Sequence, residues 1–175
     1  LHNTLFPYTT LFRSQGVMTK SHDMRRTTPS AGATFPIELL VAVRKDGVEG
    51  LQQGLYHYTP EGHALQKIND KDLSQDISSA CFNQEYIKKA PVSILVASDE
   101  SRTTRMYADR GQRYVCIESG AVMQNISLEA VEMGLGTVIV GAFDDSAVHE
   151  IFELEELNPL GLMPVGYPKD KAFYA

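Results

Sequence analysis

The sequence predicts a single α+β domain, a sheet flanked by helices, and three observations carry that prediction. Residues 114–143 read as a long helix, a glycine stop and a β-branched run. Apolar stretches at 37–43, 92–97 and 160–165 read as strands with little polar alternation. A chain of 175 residues is long enough for one domain with its own core. The pattern leaves strand order open.

The long helix organises the rest. Between 114 and 133 there is no proline and one glycine, Gly120. Glu118, Asn125, Glu129 and Glu132 are spaced seven, four and three apart, so they share one narrow stripe. A helix otherwise apolar nearly all round belongs inside a domain or in a subunit interface. At 1.5 Å per residue it would span about 30 Å. Gly134 and Gly136 supply the stop, since glycine takes the left-handed conformation without a Cβ clash. Residues 137–140, Thr-Val-Ile-Val, read as a strand buried on both faces, and Gly141-Ala142 leave a small-residue opening at its end. Asp144 is placed to cap the following helix, around 147–152.

Composition excludes several classes. A net charge of −6 and a pI near 5.3 argue against nucleic acid or an anionic membrane as the main partner. No apolar run is long enough to cross a bilayer. Cys81 and Cys116 are isolated and read as reduced core thiols, which points to the cytoplasm. Residues 1–24 lack helical or strand periodicity and are expected to be a non-native or disordered leader, with one domain, possibly truncated at both ends, over 25–175.

The remaining elements follow in order. Pro29 and Pro36 bracket a small-residue loop in which Ser30 offers a hydroxyl and Gly32 permits close backbone approach; a plain turn before a strand explains the same spacing. Lys45-Asp46-Gly47 turns the chain, and 54–58 with 64–68 read as a hairpin. Residues 70–80 form a short amphipathic helix with Leu73, Ile77 and Ala80 inward. Asn83 and Gln84, just before a buried strand, could read an imide edge or simply start a helix. Arg102, Arg105, Arg110 and Arg113 could hold an anion, or form a solvated, salt-bridged face.

Familiar side-chain chemistry is missing. Gly134-Leu-Gly136 follows a helix and precedes a strand, the reverse of a dinucleotide fingerprint. There is no Walker A lysine and no Gly-x-Ser-x-Gly elbow. His57, His63 and His149 lack ligand spacing for zinc. If this is an enzyme, a cofactor carries the reaction.

Four stretches together resemble the nitroreductase family of flavin enzymes, specifically its SagB-type, thiazole/oxazole-dehydrogenase-like branch. They are Arg26-Thr-Thr-Pro29-Ser30-Ala31-Gly32-Ala-Thr-Phe-Pro36-Ile-Glu38; Gly54-Leu-Tyr-His-Tyr58; Tyr107-Ala-Asp-Arg110-Gly-Gln-Arg113-Tyr114; and the helix, Gly-Leu-Gly and Val140-Gly141-Ala142-Phe-Asp144 block. The resemblance implies a mainly antiparallel sheet flanked by helices, with the long central helix at a homodimer interface and FMN bound between subunits. It implies that Pro29, Ser30, Ala31 and Gly32 approach the flavin from the partner chain. Gln84, in preference to Asn83, would read the pyrimidine edge, and Val140, Gly141 and Ala142 would lie beside the ring. The implied function is hydride transfer through flavin N5 to or from a small nitro, quinone or azoline-like molecule, with NADH or NADPH as donor. A flavin-binding or dimerisation module with degraded catalysis is the alternative. Three departures qualify the pattern. The family's amino-terminal arginine-rich helix is imitated only by Arg13-Ser14. Basic residues after the last strand reduce to Lys169 and Lys171. The Lys-Tyr pair of azoline-oxidising members reads Met106-Tyr107, leaving Tyr107 as the candidate proton donor.

Overall fold

A computed structural model describes residues 26–169; the expectations for 1–24, Arg13-Ser14 and Lys171 lie outside them. Six strands form one sheet in the order β3-β2-β1-β4-β6-β5, and every pairing is antiparallel. They are β1 (Ile37–Val43), β2 (Gly54–Thr59), β3 (Ala64–Asn69), β4 (Val92–Ser98), β5 (Gly136–Thr137) and β6 (Asn158–Gly166). The helices are α1 (Ser74–Ala80), α2 (Glu85–Lys89), α3 (Glu100–Tyr107), α4 (Gly111–Glu132) and α5 (Asp145–Ile151).

Strand alternation explains why the central strands are apolar throughout. Ile37, Leu39 and Val41 of β1 join Ile94 and Val96 of β4 on one face, against Val115, Val122 and Ile126 of α4. Leu40, Ala42, Leu95 and Ala97 point the other way, against Ile77, Ile87, Val148 and Phe152. Both faces are covered, so neither set can be polar. Each fully buried aliphatic side chain contributes roughly 1.5–3 kcal/mol.

The long helix starts earlier than its periodicity suggests. A single turn at Ala108–Arg110 links α3 directly to Gly111, where an added Cβ would sit 2.7 Å from Thr104 Cα. Its end follows the expected chemistry. Gly134 takes φ +69°, Gly134 N–H donates to Val131 O, and Leu135 N–H donates to Ala130 O, a Schellman stop. Asp144 caps α5 by accepting from Ala147 N at 3.0 Å.

Three expectations need correction. The strand expected at 137–140 is only two residues long, and Val138 and Ile139 are 48% and 47% exposed. β5 is the edge of the sheet, pairing with β6 at Gly136 and Thr137, and Val140 returns to it by one bridge to Leu162. A β-branched run looks the same at an edge as in a sheet centre. The helix expected over 70–80 begins at Ser74, because Asp72 accepts from Ser74 N and Lys45 N, both at 3.0 Å, and holds the preceding residues as a turn. Cys81 is a core thiol, whereas Cys116 is exposed on α4. Among the described residues no helix is long and apolar enough to cross a membrane.

The circumference of α4 divides in an unexpected way. Ile117, Gly120, Gln124, Leu128 and Val131, at intervals of three, four, four and three, form one exposed face. Ile117, Leu128 and Val131 are 63%, 60% and 52% exposed. The polar stripe changes character along the helix: Glu118 is buried, Asn125 is half-buried and donates to Thr28, Glu129 is half-buried, and Glu132 is exposed.

Candidate cofactor site

Two of the three candidate segments meet. The Asp144 N–H donates to Ala80 O at 2.9 Å, tying the 140–144 turn to the end of α1, where the carboxamide turn begins. Val140 is buried with Ala80 and Cys81, and its backbone exchanges two hydrogen bonds with Leu162. Gly141 and Ala142 are exposed, and a Cβ built on Gly141 would meet nothing within 4 Å. The opening expected at the strand end is therefore present. Val140 anchors it from below.

The carboxamide turn is tightly held. Phe82 and Asn83 are both left-handed, at φ +58° and +59°. Asn83 N–H donates to Ser78 O at 2.8 Å, and the Ser78 hydroxyl donates to Gln84 O at 3.0 Å. Gln84 spends much of its side chain locally: Nε2 donates to Cys81 O at 3.0 Å, and Oε1 accepts from the Tyr86 hydroxyl. One amide hydrogen and one acceptor position remain for a ligand. Burial pushes the Cys81 thiol up to about 11, so it is no nucleophile at neutral pH.

A cleft of about 650 Å³ lies between α2, which follows the Gln84 turn, β5 and the end of β6; Gln84, Gly141 and Ala142 are not among its lining residues. Tyr86, Pro91, Val138, Pro164 and Tyr167 give it apolar walls; Lys169 supplies a cation, and Lys89 is paired there with Glu85 at 3.0 Å. Its size falls within the range of small-molecule sites, roughly 300–1,000 Å³. No feature of the sequence pattern pointed to this cleft, because its walls come from three separate elements.

The third segment, residues 29–32, is held by α3 and α4. Ser30 Oγ accepts from Phe35 N at 2.9 Å, so one of its acceptor positions is committed within the chain. Gly32 has φ +60°, and a Cβ there would lie 2.6 Å from Met106 Sδ and 2.7 Å from Tyr107 Oη. The close approach that this glycine permits is thus to side chains of α3. Pro29, Gly32 and Ala33 form the exposed tip, and Ala31 is half-buried. Tyr107 packs edge-on against Tyr114, with ring centroids 5.0 Å apart. It touches the loop tip through its hydroxyl end.

A polar network that sequence spacing missed supports the base of this loop. Glu38 Oε1 pairs with Arg102 Nη1 at 2.6 Å, and Glu38 Oε2 meets His57 Nε2 at 2.8 Å. Arg102 also pairs with Asp99 and donates to Phe35 O, which makes it a structural arginine. Burial pushes the Glu38 carboxyl up, but the His57 hydrogen bond and the Arg102 charge outweigh it and hold its pKa below 4.5. That stabilisation is complete above pH 4.5 and is lost as pH falls through the lowered folded value. Glu38→Ala is expected to cost about 1–2 kcal/mol at pH 7. Arg102 is 40% exposed, so the loss is smaller than for a sealed pair. In urea melts the difference from wild type should shrink at pH 3.5; an equal difference at both pH values contradicts the assignment.

At Glu118 the balance runs the other way. Burial raises its pKa, and Ser30 and Arg26 only partly offset that. Burial likewise lowers the Arg26 pKa, and its guanidinium lies 4.2 Å from the Phe35 ring centroid.

Comparison with known proteins is consistent with this geometry. Residues 14–167 match the profile of the Nitroreductase family. A protein of Methanocaldococcus jannaschii with a provisional nitroreductase designation is 47% identical over 141 residues, covering 81% of this chain and 70% of its own. The microcin B17-processing protein McbC of Escherichia coli is 28% identical, covering 76% of this chain and 50% of its own, in agreement with the SagB-type resemblance. The NAD(P)H-dependent FMN reductase of Bacillus subtilis is 28% identical, covering 60% of this chain and 48% of its own. The chain thus spans about half the length of the latter two. A crystal structure of a nitroreductase homologue from Anabaena variabilis superposes with a TM-score of 0.84 at 26% identity, over 94% of this chain and 35% of that one. The six-stranded antiparallel sheet, the long helix and the sequence match lead to one conclusion: this chain belongs to the nitroreductase family.

Proposed function

We propose that the protein is an FMN-dependent oxidoreductase that works as a homodimer on a small organic substrate bearing a nitro, quinone or azoline-like group. The observation that carries this reading is the exposed Gly141-Ala142 edge, fixed beside the Gln84 turn by the Asp144–Ala80 hydrogen bond. Open space above Gly141 fits a flat ring laid against backbone. The free amide hydrogen and acceptor position of Gln84 suit an imide edge, which presents both a donor and acceptors. Lys169 is available to a phosphate at the cleft, whereas Lys89 pairs with Glu85 Oε1 at 3.0 Å. When bound, FMN supplies hydride transfer at N5. The chain's own contribution is orientation: Gly141 and Ala142 would leave the ring face accessible, and Gln84 would set its register.

The B. subtilis relative supports FMN and a nicotinamide donor. The exposed apolar face of α4 supports pairing with a second copy, which would bring that copy's 29–32 loop towards the ring. Tyr107 is the candidate proton donor, its hydroxyl lying at the loop tip.

A second reading, a flavin-binding or dimerisation module with degraded catalysis, is favoured by Met106, which is 60% exposed where a proton-handling lysine would stand. Anaerobic mixing of FMN-reconstituted protein with NADH or NADPH separates the two. Bleaching of the flavin band near ~450 nm, followed by reoxidation with a quinone or nitroarene, is expected of the enzyme. Retained flavin that neither donor nor acceptor changes would overturn the catalytic reading.

A further inference from the structure

We propose that α4 packs antiparallel against α4 of a second copy of this chain, with Arg110 and Arg113 of each copy set against Glu132 of the other. This rests on the homodimer reading given above and gives that dimer its orientation. The charges at the two ends of α4 stand the wrong way round for a lone helix. Arg110 is its N-cap and Arg113 lies in its first turn, whereas Glu129 and Glu132 lie in its last; the first turn holds no acid and the last no base. A helix macrodipole favours the opposite placement, acids at the amino end and bases at the carboxyl end. Nothing within the chain answers these charges. Arg110, Arg113 and Glu132 are exposed, and none of them forms an ion pair among the described residues.

An antiparallel copy answers them. Arg113 lies four residues before Ile117 and Arg110 three before that, so both continue the exposed face of Ile117, Leu128 and Val131 at its amino end. Set Ile117 of one copy against Leu128 of the other, and Arg113 comes level with Glu132, because each lies four residues outward of that apolar pair. A shallow crossing of about 20° keeps the helix ends together over this length. Gly120 stands near the middle of the face, and a Cβ built there would meet nothing within 4 Å. A glycine inside a helix is less stable than alanine, and no neighbour in this chain requires it. A second helix crossing there makes use of it, since the two backbones can approach closely. A parallel pair would instead set Arg110 and Arg113 against their own copies and align the two macrodipoles. Orientation also decides which parts of the candidate site meet. The amino end of α4 carries Tyr114, packed on Tyr107, whose hydroxyl lies against Gly32 of the loop tip. The carboxyl end leads through Gly134 and β5 to Gly141-Ala142. Antiparallel pairing carries the tip of one copy towards the Gly141-Ala142 end of the other, whereas parallel pairing carries tip to tip.

Charge reversal tests the pairing without any cofactor. Arg113→Glu and Glu132→Arg each place like charges across the interface, twice in a two-fold dimer. Each also improves the match of α4 to its own macrodipole, so the single chain should fold as well as wild type. By sedimentation equilibrium in about 50 mM salt, the dimer dissociation constant is expected to rise at least about tenfold in either variant. In the Arg113→Glu/Glu132→Arg double variant it should return to within about threefold of wild type, which a loss of fold would not allow. In about 1 M salt the single variants should also come within about threefold. If either reversal does not fold, Arg113→Gln and Glu132→Gln remove the charges, and the double neutral variant should be no weaker than the weaker single one. A dimeric wild type whose dissociation constant ignores both reversals, or a double variant weaker than either single, overturns the antiparallel pairing and leaves the homodimer reading standing. A wild type still monomeric at about 1 mM overturns both.

Discussion

Replacing Leu128 with glutamate is expected to dissociate the proposed dimer and, with it, to abolish the proposed FMN binding. Leu128 is 60% exposed and lies on the outward face of α4 between Gln124 and Val131. In one chain that face has nothing apolar to meet, although Ile117, Leu128 and Val131 line up over four turns. Burying each against a second copy is worth roughly 1.5–3 kcal/mol. In a two-fold interface one substitution is felt twice, and each new carboxylate must be desolvated without a partner. A dimer dissociation constant raised at least ~100-fold, or about 2.7 kcal/mol, is the expected result. The fold should survive, because the side chain is already solvent-facing within the chain. Sedimentation velocity, together with flavin content after desalting, checks both halves. A variant that stays dimeric would place the interface elsewhere.

Gly141→Val should have an equally large effect on a different observable. A Cβ at Gly141 meets no atom within 4 Å, so valine costs the fold little, within about ±0.5 kcal/mol for an exposed site. What valine occupies is the space expected to hold the flavin ring. FMN affinity should fall by at least ~30-fold, about 2 kcal/mol, with an unchanged melting temperature of the flavin-free protein. Isothermal titration and thermal melts of the same preparation give both numbers. Wild-type affinity in this variant would move the ring away from the 140–142 edge.

How much of this was legible in the sequence depends on what each residue faces. β1 and β4 were readable because burial on both faces leaves an unbroken apolar run. The β2–β3 hairpin and the Schellman stop at Gly134 were readable because turn chemistry is local. Residues 137–140 were misjudged because β-branched residues look alike at an edge and in a centre. Asn125 was seen as part of a polar stripe, but its partner Thr28 lies 97 residues earlier and leaves no mark on the helix periodicity. Glu38, His57 and Arg102 converge from three elements, so no spacing rule could join them. At the candidate site the opening at Gly141-Ala142 was read correctly from residue size alone. The part that could not be read was where the small loop residues point. Gly32 makes room for Met106 and Tyr107, and Ser30 turns back to accept the Phe35 N–H.

The central claim, one flavin seated at the Gly141-Ala142 edge of each chain of a dimer, is tested most directly by an FMN titration. The absorbance band near ~450 nm is followed after desalting, on protein whose mass in solution is measured alongside. The account expects retained FMN at one per chain in a dimeric species. Protein that stays monomeric and colourless after FMN addition would contradict it.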